Sequence, residues 1–196
     1  MSNKPHLQSL IFEVTQRCNH ACLHCYNVWQ GEPPPPAAHY PRGELDTARA
    51  LRLLAKALDE SDCHHVTLTG GEPLLRVDLP VLLGFLRERK VQVTIISNGR
   101  LLDEQNAGFL IGQGVGLFEL PLLSHRREVH DQLCAAPGAW DAALAAMANI
   151  RLRRGQVVTA FVATRLNITH LYETIKLAFA FGARGVMLNR FNPGGR

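Results

Sequence analysis

Hydrophobic and polar positions along this chain follow two rhythms. Short runs rich in β-branched and aromatic residues, "LQSLIFEVT" (7–15), "HHVTLT" (64–69), "VQVTIIS" (91–97) and "QVVTAFVAT" (156–164), have the composition of strands on a pleated, half-buried surface. Between them, apolar residues recur every three or four positions. In "ELDTARALRLLAKALDE", Leu45, Ala48, Leu51, Leu54 and Leu58 fall at helical spacing, and "AWDAALAAMANIRLRR" puts Trp140, Leu144, Met147 and Ala148 on one face. "DLPVLLGFLRER" predicts a helix capped by Asp78 with Pro80 in its first turn; "DEQNAGFLIGQG" predicts another. "THLYETIKLAFAFG" predicts a helix stopped at Gly182. "VGLFELPL" predicts a strand that Pro121 ends or interrupts, and "GVMLNRF" a final strand.

Strands that are mostly followed by helices predict a parallel sheet with right-handed crossovers. A complete eight-unit barrel uses about 30 residues per unit. This chain of 196 residues therefore holds about six. The expected fold is α/β: a partial, open (β/α)6 TIM-like barrel with parallel strands, in one domain over 1–196. Four consecutive prolines in "GEPPPPAAHYPRGE" (31–44) favour polyproline II, which predicts a surface loop there.

A hydrophobic fraction of 46% with 19% charged residues fits a folded domain rather than a disordered chain. The net charge of +4 is scattered apart from "RLRRG" (151–155), which reads as a solvated helix end. No nucleic-acid partner is expected. The N-terminal apolar run is too short for a secretion signal and no later run approaches a membrane span, so the expectation is a cytoplasmic protein with no membrane partner and with reduced thiols.

Three of the five cysteines crowd into "TQRCNHACLHCYNVW" (15–29). A disulfide framework wants an even count, and a structural zinc site wants four ligands. Three thiolates, Cys18, Cys22 and Cys25, suit a [4Fe–4S] cube whose fourth iron stays open to a small molecule. Zinc held by the same cysteines plus His20 or His24 is the alternative; the two histidines otherwise read as loop filler. The remaining polar motifs also follow strands: "TGGEP" (Thr69 to Pro73), "SNG" (Ser97 to Gly99), "TRLN" (Thr164 to Asn167) and "NRFNPGG". In a parallel barrel these loops open on one face, where such barrels build their sites. Gly70 and Gly71 remove side chains where a ligand would approach the backbone, and Glu72 and Pro73 fix the turn. His64 and His65 are strand neighbours pointing to opposite faces. Cys63 precedes the second strand, and Cys134 stands isolated; both read as ordinary thiols.

"CNHACLHCYN" resembles the CxxxCxxC signature of the radical S-adenosylmethionine (radical SAM) enzymes. "GGEP" resembles their motif for the methionine amino group of SAM, and "SNG" the polar turn at the third strand. The resemblance covers nearly the whole chain. It implies that Cys18, Cys22 and Cys25 ligate three irons while SAM chelates the fourth. An electron would then cleave the sulfonium to a 5′-deoxyadenosyl radical that abstracts hydrogen from a substrate, an oxidoreductase-type chemistry. It further implies that Gly70, Gly71, Glu72 and Pro73 bind SAM and that Tyr26 lies beside the adenine. Ser97 and Asn98 would contact methionyl or ribose groups, with Asn167 and Asn189 to Asn192 on the adenine side. The family's ribose contact on the fourth strand would fall to Glu119 or Ser124. A peptide or small-molecule substrate and a reductant such as flavodoxin or ferredoxin are implied as partners.

The subtype resembles the N-terminal core of SPASM/twitch-type maturases, which modify ribosomal peptides or build peptide- and tetrapyrrole-derived cofactors. Such chains continue into a cysteine-rich C-terminal extension with auxiliary clusters. Here only Cys63 and Cys134 remain unassigned, so no auxiliary cluster is expected. The chain reads as the N-terminal part of a longer protein or as a shortened member. A truncated domain that binds cluster and SAM without turnover stays open as a further reading.

Overall fold

The computed structural model describes residues 6–26 and 44–191. Each β-branched run becomes a strand: β1 (Leu10–Thr15), β2 (His65–Gly70), β3 (Gln92–Ile96), β4 (Val115–Pro121), β5 (Val157–Ala163) and β6 (Val186–Arg190). All neighbouring pairs are parallel and the sheet order is β1-β2-β3-β4-β5-β6. Among the described residues β6 does not return to pair with β1, so the fold is an α/β barrel left open along one side. Pro121 is the last residue of β4, where its missing N–H breaks no further ladder.

The helices are α1 (Thr47–Asp59), α2 (Leu79–Glu88), α3 (Glu104–Gly112), α4 (Arg127–Cys134), α5 (Ala139–Leu152) and α6 (Leu171–Ala180). The strand pleat sends Val14, Val66, Leu68, Val93, Ile95, Phe118 and Leu120 outward into a core shared with Leu54, Leu83 and Met147 of the helices. The alternate positions Glu13, Thr67, Thr69, Thr94 and Glu119 therefore line the concave side of the sheet. On α5 the buried stripe runs through Ala143, Leu144, Met147 and Ile150, with Trp140 only partly covered. Helix α4 is absent from the sequence expectation: "REVHDQLC" offers Val129 and Leu133 as its only large aliphatic positions. The proline-rich stretch 31–44, Glu44 apart, lies outside the described residues, as does Asn192.

Two helices begin on aspartate caps, Asp46 and Asp103 accepting from the backbone N–H groups of Arg49 and Asn106. Asp78 stands at the start of α2 but makes no capping bond. Its carboxylate is taken instead by Arg76, with Nε and Nη2 each at 2.8 Å, and by the Thr47 hydroxyl at 2.6 Å. The Arg76 side chain is 2% exposed. It also donates to the Val14 carbonyl at 2.5 Å and the Leu45 carbonyl at 2.9 Å. One guanidinium thus ties the end of β1, the approach to α1 and the turn after β2. Among the described residues no helix is long and apolar enough to cross a membrane.

Replacing Arg76 by alanine strands two buried carbonyls and half-desolvates a carboxylate, so unfolding in urea should show a loss of about 3 kcal/mol. Arg76→Lys should recover less than half of it, because one ammonium cannot span four acceptors in the planar geometry of a guanidinium.

Candidate functional site

The loops after β1, β2 and β3 meet at one mouth, and backbone contact joins the first two. The Gly71 N–H donates to the Thr15 carbonyl and the Glu72 N–H to the Arg17 carbonyl, both at 2.8 Å. A Cβ on Gly70 would lie 2.2 Å from the Thr15 carbonyl oxygen, and one on Gly71 would lie 2.2 Å from that of Arg17. Gly70 also adopts φ +137°. The sequence reading gave both glycines to ligand access. Their Cβ positions instead face the chain's own cysteine loop, which must approach this closely to stay in place.

Glu72 is 0% exposed. Its Oε1 accepts from the Ser97 hydroxyl at 2.9 Å and the Leu74 N–H at 3.1 Å, and its Oε2 accepts from the Asn98 N–H at 2.7 Å. Burial pushes this carboxyl above the usual carboxylate range against the pull of those hydrogen bonds. Pro73, also buried, opens the single turn of 3₁₀ helix that follows. The Ser97 hydroxyl further accepts from the Gly99 N–H at 3.1 Å. Glu72 and Ser97 therefore spend their side chains on each other and on the turn. The Asn98 amide reaches back to the first loop, 2.6 Å from the Asn19 side-chain oxygen and 3.9 Å from Cys18 Sγ.

Cys18, Cys22 and Cys25 are partly buried. The His20 N–H donates to Cys18 Sγ at 3.4 Å, and the Cys25 N–H to the Cys22 carbonyl at 3.1 Å. A 2.9 Å bond from the Leu23 N–H to the Leu133 carbonyl pins the loop to the end of α4. That helix changes the reading of two residues. Cys134 is buried beside the loop: the ligand atoms of His20, Cys22 and Cys134 all lie within 4.8 Å of one another. Cys134 is not isolated, and the contact was hidden because its helix carries too few apolar residues to be recognised. His20, read as filler, is 6% exposed and its Nε2 accepts from Arg100 Nε at 3.0 Å. The Cys22 thiol is brought down to about 5, chiefly by the neighbouring Cys134 thiol, while the same neighbour and burial push the Cys134 thiol far up. Burial also raises Cys18 and lowers His24.

Soft thiolates with N–H groups turned on their sulfurs form the donor set that iron–sulfur clusters use. A lone ion would need its ligand atoms around one point, and among the described residues Cys18, Cys22 and Cys25 form no such group. A four-iron cube spreads its thiolates over separate irons, so three cysteines that do not converge on one point are compatible with a cube.

Other expected positions are distributed around this mouth. Tyr26 is 63% exposed, and burial of its hydroxyl near Thr69 and Glu13 raises the phenol above its ordinary range. Glu119 sits half-buried on that side of β4, its carboxyl raised by burial. Ser124 lies beyond the strand, 0% exposed, with its hydroxyl 2.8 Å from His170 Nδ1 and accepting from the Arg126 N–H at 2.9 Å. Asn167 is saturated: its oxygen accepts from Thr164 twice and its amide donates to the Leu123 and Val162 carbonyls. It clamps β5 to β4 and has no polar atom to spare. Asn189 is exposed on β6. His65 bonds Thr94 at 2.9 Å while His64 is exposed, and the Cys63 thiol donates to the His65 carbonyl at 3.2 Å, at the opposite end of the barrel.

Gly71→Ala should displace Arg17 and with it the cysteine loop, so iron and sulfide bound after reconstitution should fall several-fold together with SAM affinity; loading at the parent level would refute the clamp. In metal-free protein, iodoacetamide should alkylate Cys22 at a rate nearly flat between pH 6.5 and 8, since its thiolate is already formed. Cys18, with a raised thiol, should react faster with each step in pH; peptide mapping by mass spectrometry separates the two.

The sequence matches the radical SAM superfamily over residues 12–178. An AdoMet-dependent heme synthase of Oleidesulfovibrio alaskensis is 28% identical over 192 residues, which is 98% of this chain and 47% of that protein. A PqqA peptide cyclase of Ruegeria pomeroyi is 30% identical over 179 residues, 90% of this chain and 45% of that one. The chain thus spans about half the length of these relatives. Among solved structures, Streptococcus suis SuiB bound to S-adenosylmethionine superposes with a TM-score of 0.77 at 16% identity, over 95% of this chain and 41% of that one. SuiB has also been solved bound to its precursor peptide SuiA. With the family matched over most of its length, the chain belongs to the radical SAM superfamily.

Proposed function

We propose that residues 1–196 form the core domain of a radical SAM enzyme, with a [4Fe–4S] cluster on Cys18, Cys22 and Cys25 and SAM at the same mouth. The observation that carries this reading is the union of three loops: Gly71 and Glu72 hold the cysteine loop by backbone bonds, and Glu72 holds Ser97 and Asn98. When bound, the reduced cluster supplies the electron that splits the sulfonium of SAM and yields a 5′-deoxyadenosyl radical for hydrogen abstraction. The chain's own residues bind and orient. The Gly70–Gly71 backbone and the Asn98 side chain meet the methionyl end, Tyr26 flanks the adenine, and the Glu119 carboxyl accepts from ribose hydroxyls. Glu72, Pro73 and Ser97 hold those groups in register rather than presenting their own atoms.

A peptide is the first-choice substrate, a reading supported by the PqqA cyclase relative and by the peptide-bound neighbour SuiB. A tetrapyrrole side chain is the second reading, supported by the heme synthase relative. The electron would come from a flavodoxin or ferredoxin, and the need for reduced thiolate ligands supports a cytoplasmic setting.

Reconstituted anaerobically with iron and sulfide, reduced with dithionite and given SAM, the protein should release 5′-deoxyadenosine. Cys22→Ala should release none and lose most of its iron. Wild-type iron and sulfide in Cys22→Ala would refute the ligand assignment. Release stimulated by an iron porphyrin bearing propionates would favour the second reading.

A further inference from the structure

Two hydrogen-bond relays end beside Cys22, at Cys134 and at His20, whose ligand atoms lie within 4.8 Å of the Cys22 sulfur. One starts on β4's exit, where the Leu123 N–H donates to His130 Nδ1 at 3.1 Å. That bond leaves the ring proton of neutral His130 on Nε2, which lies 3.4 Å from Cys134 Sγ. The ring therefore donates to the Cys134 sulfur, and the thiol hydrogen of Cys134 is free to turn to the neighbouring Cys22 sulfur, within 4.8 Å. The other relay starts at Arg100, whose Nη2 is held by the Pro137 carbonyl at 2.6 Å and whose Nε donates to His20 Nε2 at 3.0 Å. This fixes the His20 proton on Nδ1, a buried atom with no hydrogen-bond partner. Cys22 Sγ lies in the same 4.8 Å group.

The polarity of these bonds separates two uses of the group. A histidine that ligates a metal normally donates its other ring N–H to an acceptor. Here that nitrogen accepts from a guanidinium, so His20 is set up as a donor and the trio is not a mononuclear metal site. What remains is the Cys134 thiol beside the Cys22 sulfur. Cys134 is 0% exposed, so its bond works at low dielectric, where it is strongest.

We propose that Cys134 is a positioning residue for the cluster: its thiol, aimed by His130, donates to the Cys22 sulfur and draws off part of that ligand's negative charge. The inference rests on the assignment of Cys22 as an iron ligand. Hydrogen bonds to cluster sulfurs help set the reduction potential. A donor favours the more negative, reduced form, so this one holds the potential up and eases electron entry.

The test is a potentiometric titration of the reconstituted, full-length protein, followed by electron paramagnetic resonance of the reduced cluster, in wild type, Cys134→Ala and Cys134→Ser. Iron and sulfide should match wild type in both variants. The midpoint should move to a more negative value in Cys134→Ala and by a smaller step in Cys134→Ser, which keeps an O–H donor. An unchanged midpoint in Cys134→Ala would overturn the proposal. So would loss of the cluster from both folded variants, which would make Cys134 a ligand, or stoichiometric zinc uptake that depends on Cys134. If Cys134→Ala unfolds, the serine variant carries the measurement: its midpoint must still lie below wild type. Retention of the whole cluster in Cys22→Ala would instead refute the assignment beneath the proposal, and that arm is read separately.

Discussion

The mouth of this barrel depends on one buried carboxylate. A fully enclosed Glu72 is tolerable only while its oxygens are satisfied, because an unpaired buried charge is among the costliest defects a fold can carry. Its acceptors are filled by Leu74 from its own turn and by Ser97 and Asn98 from the next loop. Any shift of the third loop against the second would break those bonds, so the two behave as one body. The glycines extend that body to the first loop, where backbone lies against backbone with no room for a methyl group. A thiol-bearing loop of this kind has few internal hydrogen bonds. Its shape is borrowed from Gly71, Glu72, Asn98 and the end of α4.

The strands were legible because β-branched runs leave few alternatives, and the parallel order follows once helices intervene. The cysteine spacing and the positions of GGEP and SNG after strands were legible as well. What escaped was the use of each residue. Asp78 looks like a cap, but Arg76, two residues before it, competes for both oxygens and wins through a planar, bidentate fit. Gly71 looks like an opening for a ligand, and only the packing shows that the facing surface is Arg17. Asn167 looks like a binding residue until all its bonds are counted.

Cys134 is the largest difference. Its helix is mostly polar and its role depends on a neighbour far away in the chain, so no local pattern marks it. The crossover from β4 to β5 carries two helices, and the first serves the mouth more than the core: Leu123, Leu133, Cys134, Ala136 and Ala139 form a small cluster of their own, against which Cys22 packs. That satellite cluster closes the side of the cysteine loop that the glycine turn leaves uncovered. The loop is thus held on one flank by backbone hydrogen bonds to the glycine turn and on the other by the Leu23–Leu133 backbone bond and apolar contact.

A sheet whose spatial order repeats its chain order has a consequence for biosynthesis. A ribosome delivers the βα units in the order in which they dock, so each new strand finds its partner already in place. The thiols are the exception. They emerge with the first strand, but their clamp comes with the second, and Cys134 follows on the order of ten seconds after Cys22 at typical elongation rates. For that interval the nascent loop is an unguarded set of thiols, open to any passing metal or oxidant. The apolar cluster that Cys22 packs against exists only after α4 has left the tunnel.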